Sequence, residues 1–146
     1  MGTKGSAPAV KLKKPTAKGR QPSVYDRSCP AHVVIDHLAD KWAVLIIGRL
    51  ANGTMRFAEL RRAVDGISQK MLTVTLRDLE RDGLVNRKLF ASVPPKVEYS
   101  LTPLGASLSD KAEELCRWAE ANVEQILRAR DNFDKRAGRA VKSGGR

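Results

Sequence analysis

Residues 55–102 read MRFAELRRAVDGISQKMLTVTLRDLERDGLVNRKLFASVPPKVEYSLT, and this stretch decides the fold. Met55-Arg56-Phe57 is too short for more than an edge strand. Ala58 to Val64 is helical, with Leu60 and Val64 four residues apart, and Asp65-Gly66 makes a turn. Ser68 is a natural N-cap for a second helix running to about Asp82. In that helix Leu72, Leu76 and Leu79 recur at i, i+4, i+7 to form a buried stripe, and Gly83 closes it. Leu84 to Phe90 and Lys96 to Leu101 alternate and are β-rich, so they predict a hairpin joined through Ser92-Val93-Pro94-Pro95. A short strand, two helices and a two-stranded ribbon, in that order, predict a winged helix-turn-helix: mainly α with a small β-wing, an α+β fold.

The chemistry of this stretch suits duplex DNA. An α-helix fits the major groove, and base edges are read by its exposed stripe. Opposite the leucines lie Gln69, Lys70, Thr73 and Arg77, which put an amide, a cation, a hydroxyl and a guanidinium on one face. Gln69 suits adenine, Lys70 suits guanine or phosphate, and Thr73 can touch a thymine methyl. Ser68 and the helix N-terminus favour a phosphate oxygen. The plain alternative is a solvated face, in which Arg77 pairs with Glu80 or Glu59. On the ribbon, Arg87, Lys88 and Lys96 surround the proline tip and are candidates for minor-groove or flanking phosphate contacts. Charged residues on such a strand also serve simply to keep an edge soluble. Arg56 is a further phosphate candidate.

Outward from this centre, Ala31 to Ala39 carries Val34, Ile35 and Leu38 at helical spacing after Pro30. Asp40 can cap a helix whose apolar stripe is Trp42, Leu45, Ile46 and Leu50, ended by Asn52-Gly53. Beyond the ribbon, Pro103 starts a last helix expected to reach about Arg130. In it Leu108, Ala112, Leu115, Ala119, Asn122 and Ile126 recur in steps of four and three, a coiled-coil-like seam that predicts a dimer interface. The competing reading folds this helix back on the first helix of its own chain. Residues 1–28 and 131–146 are rich in basic and small residues and are expected to be flexible tails around a domain spanning 29–130.

The net charge of +11 belongs to those ends. Residues 1–28 carry seven Lys or Arg against Asp26, and residues 135–146 carry five bases and no acid, so residues 29–134 balance to zero. Inside the body, residues 56–96 hold nine bases and five acids, whereas 97–134 hold four bases and eight acids. A basic middle followed by an acidic helix separates a DNA face from another face. Two cysteines and two histidines make neither a disulfide framework nor a zinc site, and no cofactor motif is present. No apolar run reaches membrane length and no signal peptide is visible, which predicts a cytoplasmic, nucleoid-associated protein. No nucleophile–base pair or phosphate loop argues for an enzyme.

With these residues in place, the chain resembles the HxlR family of bacterial winged-helix transcription regulators from Cys29 to about Ala129. The resemblance rests on Cys29-Pro30, Lys41-Trp42, Arg56-Phe57 with Glu59-Leu60, and Ile67-Ser68 with Met71-Leu72. It continues through Leu76-Arg77, Leu79-Glu80, Gly83-Leu84-Val85, Pro94-Pro95, Val97-Glu98-Tyr99 and Leu101-Thr102-Pro103-Leu104-Gly105. Each motif is weak alone; the ordered series is specific. MarR and ArsR proteins share the winged fold but lack the proline wing and the Cys-Pro start. Two positions depart from the family pattern: Asp40 stands where Gly is common, and Ala58 where a polar residue often caps a helix.

The resemblance implies a homodimer, built from the first and last helices, binding a pseudo-palindromic operator as repressor or activator. It also implies that Cys29 can sense oxidants or electrophiles. A thiol near a helix N-terminus and beside Arg27 suits that chemistry, and a small packing residue is the alternative. Cys116, in the apolar part of the last helix, reads as packing. A different class of function stays open: an architectural protein coating DNA through its basic tails by counterion release. A small-molecule effector bound between the helices also stays open, although the sequence shows no pocket for it.

Overall fold

The computed structural model describes residues 22–143, and the chain divides into two compact units, Met1–Asp40 and Lys41–Arg146. Most of the expected N-terminal tail lies outside the described residues.

In the first unit, the backbone and hydroxyl of Ser28 donate to one Asp26 carboxylate oxygen at 3.0 and 2.8 Å, forming a turn before the first helix. That helix, α1, spans His32–Ala39. None of its side chains is fully buried, and Val34 and Ile35 are exposed.

The second unit contains α2 (Lys41–Leu50), β1 (Met55–Arg56), α3 (Phe57–Ala63), α4 (Gln69–Arg81), β2 (Val85–Phe90), β3 (Lys96–Leu101) and α5 (Pro103–Ser143). The three strands form an antiparallel sheet in the order β1-β3-β2, with β1 on the edge as its two-residue length predicts. Val85 pairs with Leu101 at the root of the ribbon and Phe90 with Lys96 near its tip. The core gathers α2, α3, α4 and the sheet root around Ile46, Ile47, Leu60, Leu72, Leu76 and Leu79.

The buried face of α2 differs from the expected stripe. Ala43, Ile46, Ile47 and Leu50 are buried at i, i+3, i+4, i+7, while Leu45 is exposed and Trp42 packs only partly against the core. Small Ala43 sits at the centre of the contact, and phasing the helix from the large Trp42 turned the stripe too far around.

Helix ends follow the chemistry of their caps. The Ser68 hydroxyl accepts the Met71 amide at 3.1 Å, and the Glu59 carboxylate accepts the Arg56 amide at 2.8 Å at the start of α3. At the end of α4, the Leu84 amide returns to the Leu79 carbonyl at 2.9 Å around Gly83. Gly83 has φ +72°, a conformation glycine adopts without a Cβ penalty.

The longest element departs most from expectation. α5 is 41 residues long and continues from Arg130 to Ser143, through the segment read as a flexible tail. Its length is about 60 Å at 1.5 Å per residue. The basic composition suggested a tail, yet Arg136, Ala137, Arg139 and Ala140 are strong helix formers. Lys135 and Asp131, four apart, form an ion pair at 2.6 Å on the same stretch.

At its start, α5 is locked onto the ribbon. Thr102 donates its hydroxyl to the Gly83 carbonyl at 2.6 Å and accepts the Gly105 amide at 3.0 Å, with Pro103 as first helical residue. Gly105, Ser109, Ala112 and Cys116 then form a narrow inner stripe, and α5 packs closely on α2.

Candidate nucleic-acid interface

The phase of α4 decides what it can present. Leu72, Thr75, Leu76 and Leu79 are buried, and Gln69, Lys70, Thr73 and Arg77 are all exposed, as the sequence pattern required. Intrahelical bonding cannot reach the amides of Gln69 and Lys70, which stand at the positive end of the helix, open to a phosphate oxygen. The Ser68 oxygen is committed to Met71, so that hydroxyl's part is first a cap.

Among the described residues, no ion pair or hydrogen bond engages the side chains of Lys70 or Arg77. Glu59, one suggested partner of Arg77, caps α3 instead. Thr73 donates its hydroxyl to the Gln69 carbonyl at 2.9 Å. Its proton is therefore occupied, and the side chain's methyl remains to be offered outward.

The ribbon separates residues that the sequence had grouped. Arg56 and Lys88 lie opposite Glu98 on the two sides of β3, and Lys96 lies opposite Phe90. Alternation puts these residues on one face of the sheet. The Lys88 ammonium lies 4.8 Å from the Phe90 ring centre on that face. Arg87 is paired with Tyr99 and so belongs to the opposite face, with Met55. Arg56, Lys88 and Lys96 thus form one basic row interrupted by Glu98, and Arg87 stands apart from it. The tip is held by the Ser92 hydroxyl, which donates to the Pro94 carbonyl at 2.7 Å, and Val93 is fully exposed.

The seam on α5 divides between two jobs. Ala112 is buried within its own chain, only 1 % exposed, and Leu108 packs partly against the same core. These two are therefore inner-stripe residues, claimed by contact with α2. Leu115, Ala119 and Ile126 remain exposed, with Asn122 partly so, and the same spacing continues to Ala129 and Phe133, which is 65 % exposed. Trp118, Val123 and Leu127 widen this outer apolar stripe. The expected stripe ended at Ile126 because the helix was expected to end near Arg130, whereas α5 continues to Ser143.

Both cysteines are free: Cys29 is half-buried just before α1, and Cys116 packs against the core of its unit. Among the described residues, no group of three His, Cys, Asp or Glu is placed to hold a metal, and no helix is long and apolar enough to cross a membrane.

This exposed, unpaired α4 face beside a two-stranded wing has counterparts. The pattern of the HxlR-like helix-turn-helix family matches residues 37–127. The chain belongs to that family. Its members are transcriptional regulators that work through the helix-turn-helix, and the family is not one of enzymes. The uncharacterized HTH-type transcriptional regulator YtfH of Escherichia coli is 44 % identical over 112 residues, covering 77 % of this chain and 89 % of its own. A solved structure of YtfH from Salmonella typhimurium is 45 % identical with a TM-score of 0.71, covering 76 % of this chain and 99 % of that one. The redox regulator HypR in its oxidized form is 41 % identical with a TM-score of 0.60, covering 64 % and 97 %. The winged fold expected from residues 55–102 is the fold of these HxlR-like regulators.

Proposed function

We propose that this HxlR-like protein is a sequence-specific transcriptional regulator that binds a pseudo-palindromic operator as a homodimer, most simply as a repressor, on the cytoplasmic nucleoid. The observation that carries this reading is the outward face of α4: two cations and an open helix N-terminus, none of them committed to the protein's own acids. Lys70 and Arg77 would read bases, Gln69 would add an amide pair, and Arg56, Lys88 and Lys96 would hold phosphates. Two copies would join along the outer stripe of α5, covering Leu115, Ile126 and Phe133. That symmetry would set the two α4 helices about 34–36 Å apart, one turn of duplex.

The test is selection of bound duplexes from a random pool by the full chain, with particle mass measured alongside. A regulator enriches a two-fold symmetric site and sediments as a dimer. Removing residues 1–28 separates it from a DNA-coating protein: a regulator keeps its site preference with a shallower salt dependence, and a coating protein loses most of its binding. The basic C-terminal segment is left in place, because residues 131–143 are part of α5.

A second reading, redox control through Cys29, is favoured by the similarity to HypR and by the free thiol just ahead of α1. Diamide is then expected to release operator DNA from the wild-type protein, with Cys29→Ser staying bound. Equal release from both proteins, measured by fluorescence anisotropy, rejects Cys29 as the sensor.

A further inference from the structure

The exposed face of α4 contains a residue that a solvated or purely electrostatic face would not need. At 100° per residue, the buried stripe of Leu72, Thr75, Leu76 and Leu79 points one way, and the centre of the opposite face falls among Lys70, Val74 and Arg77. Val74 is 44 % exposed there, four residues after Lys70 and three before Arg77, so it neighbours both cations. Met71 follows on the flank at 38 % exposure. On the other side lies Thr73, whose hydroxyl proton is held by the Gln69 carbonyl at 2.9 Å.

Scattered exposed hydrophobics are ordinary on protein surfaces. This one differs in position. A β-branched residue lowers helix propensity, and at 44 % exposure on a solvent face it recovers only part of that through burial. If the face docks in a groove, Val74 is the side chain most completely enclosed. A base edge opposite it must then give up its water without receiving a hydrogen bond, which is unfavourable for any amino or carbonyl group. The C5-methyl of thymine is the one apolar group that the major groove displays.

We infer that Val74 is a specificity element that packs on a thymine C5-methyl group in each half-site, between the bases or phosphates held by Lys70 and Arg77. The inference rests on the regulator reading above and deepens it. It assigns the centre of the interface to shape and apolar contact, and leaves the cations to either side.

The experiment uses the full chain and a duplex it has selected from a random pool. Thymines are replaced one symmetric pair at a time by deoxyuridine, which removes only the methyl groups. Burying one methyl is worth about a fourfold change in affinity, so the contacted pair should cost about 15-fold across two half-sites. Val74→Ala is then tested on both duplexes. Alanine favours the helix and the side chain is only partly buried, so the unfolding midpoint should stay within a few degrees of wild type, and the uracil penalty at that pair should vanish in the variant. A penalty that persists undiminished in Val74→Ala overturns the inference, as does a selected site indifferent to uracil at every pair. Failure to enrich any site would instead overturn the regulator reading itself.

Discussion

Gly105→Ala should unfold at a midpoint at least about 10 °C below wild type, from a loss of about 3 kcal/mol or more. A methyl group at Gly105 would fall on the Leu84 carbonyl oxygen, 2.9 Å from its carbon and 3.2 Å from the Leu101 side chain. The obstacle is backbone, so no rotamer can yield. Leu84 cannot retreat either, because its carbonyl accepts the Thr102 amide at 3.1 Å and Thr102 is itself bonded to Gly83 and Gly105. The start of α5 and the root of the ribbon would have to part. Gly138→Ala is the control: it lies in the same helix with nothing within 4 Å, and should be neutral or stabilising by up to about 1 kcal/mol. Circular dichroism melts of the two variants decide the matter. A wild-type midpoint for Gly105→Ala would mean that the junction is looser than its geometry.

Replacing Lys70 and Arg77 together by alanine should weaken operator binding by at least about 100-fold while leaving the melt unchanged. Each base-directed cation is worth about 1–3 kcal/mol, and a dimer loses each one twice. Both side chains are exposed and make no intramolecular ion pair among the described residues, so no stability is expected to go with them. Binding isotherms at fixed salt give the affinity, and repeated selection with the variant gives the preference. Retention of the original site at near wild-type affinity would mean that another surface reads the DNA. Lys96→Ala provides the contrast: a phosphate contact should weaken all sequences alike and lower the salt slope.

The winged architecture was legible because its boundaries are written in local chemistry. Ser68, Gly83 and the paired prolines each act on the backbone within a residue or two, and the leucine spacing of α4 fixes its inner face unambiguously. Tertiary competition was not legible. Leu108 and Ala112 fit the α5 seam by period as well as Leu115 does, and only the closeness of α2 assigns them inward. Composition misled at the distal end of α5, where a basic segment reads as a tail although each of its residues except Gly138 tolerates a helix. Val74 is apolar, and hydrogen-bonding chemistry along α4 gives it no part, so the sequence pattern alone does not single it out. The division of Arg87 from Lys88 follows from strand alternation alone, since neighbours on a strand point to opposite faces.

The bond between Thr102 and the Gly83 carbonyl joins the cap of the 41-residue helix to the residue that ends α4. With Gly105 seated against Leu84, the joint leaves no slack. Whatever twists that long rod therefore works a lever whose short arm is α4. In the proposed dimer, a ligand bound along α5 would then reset the spacing of the two α4 helices from a distance.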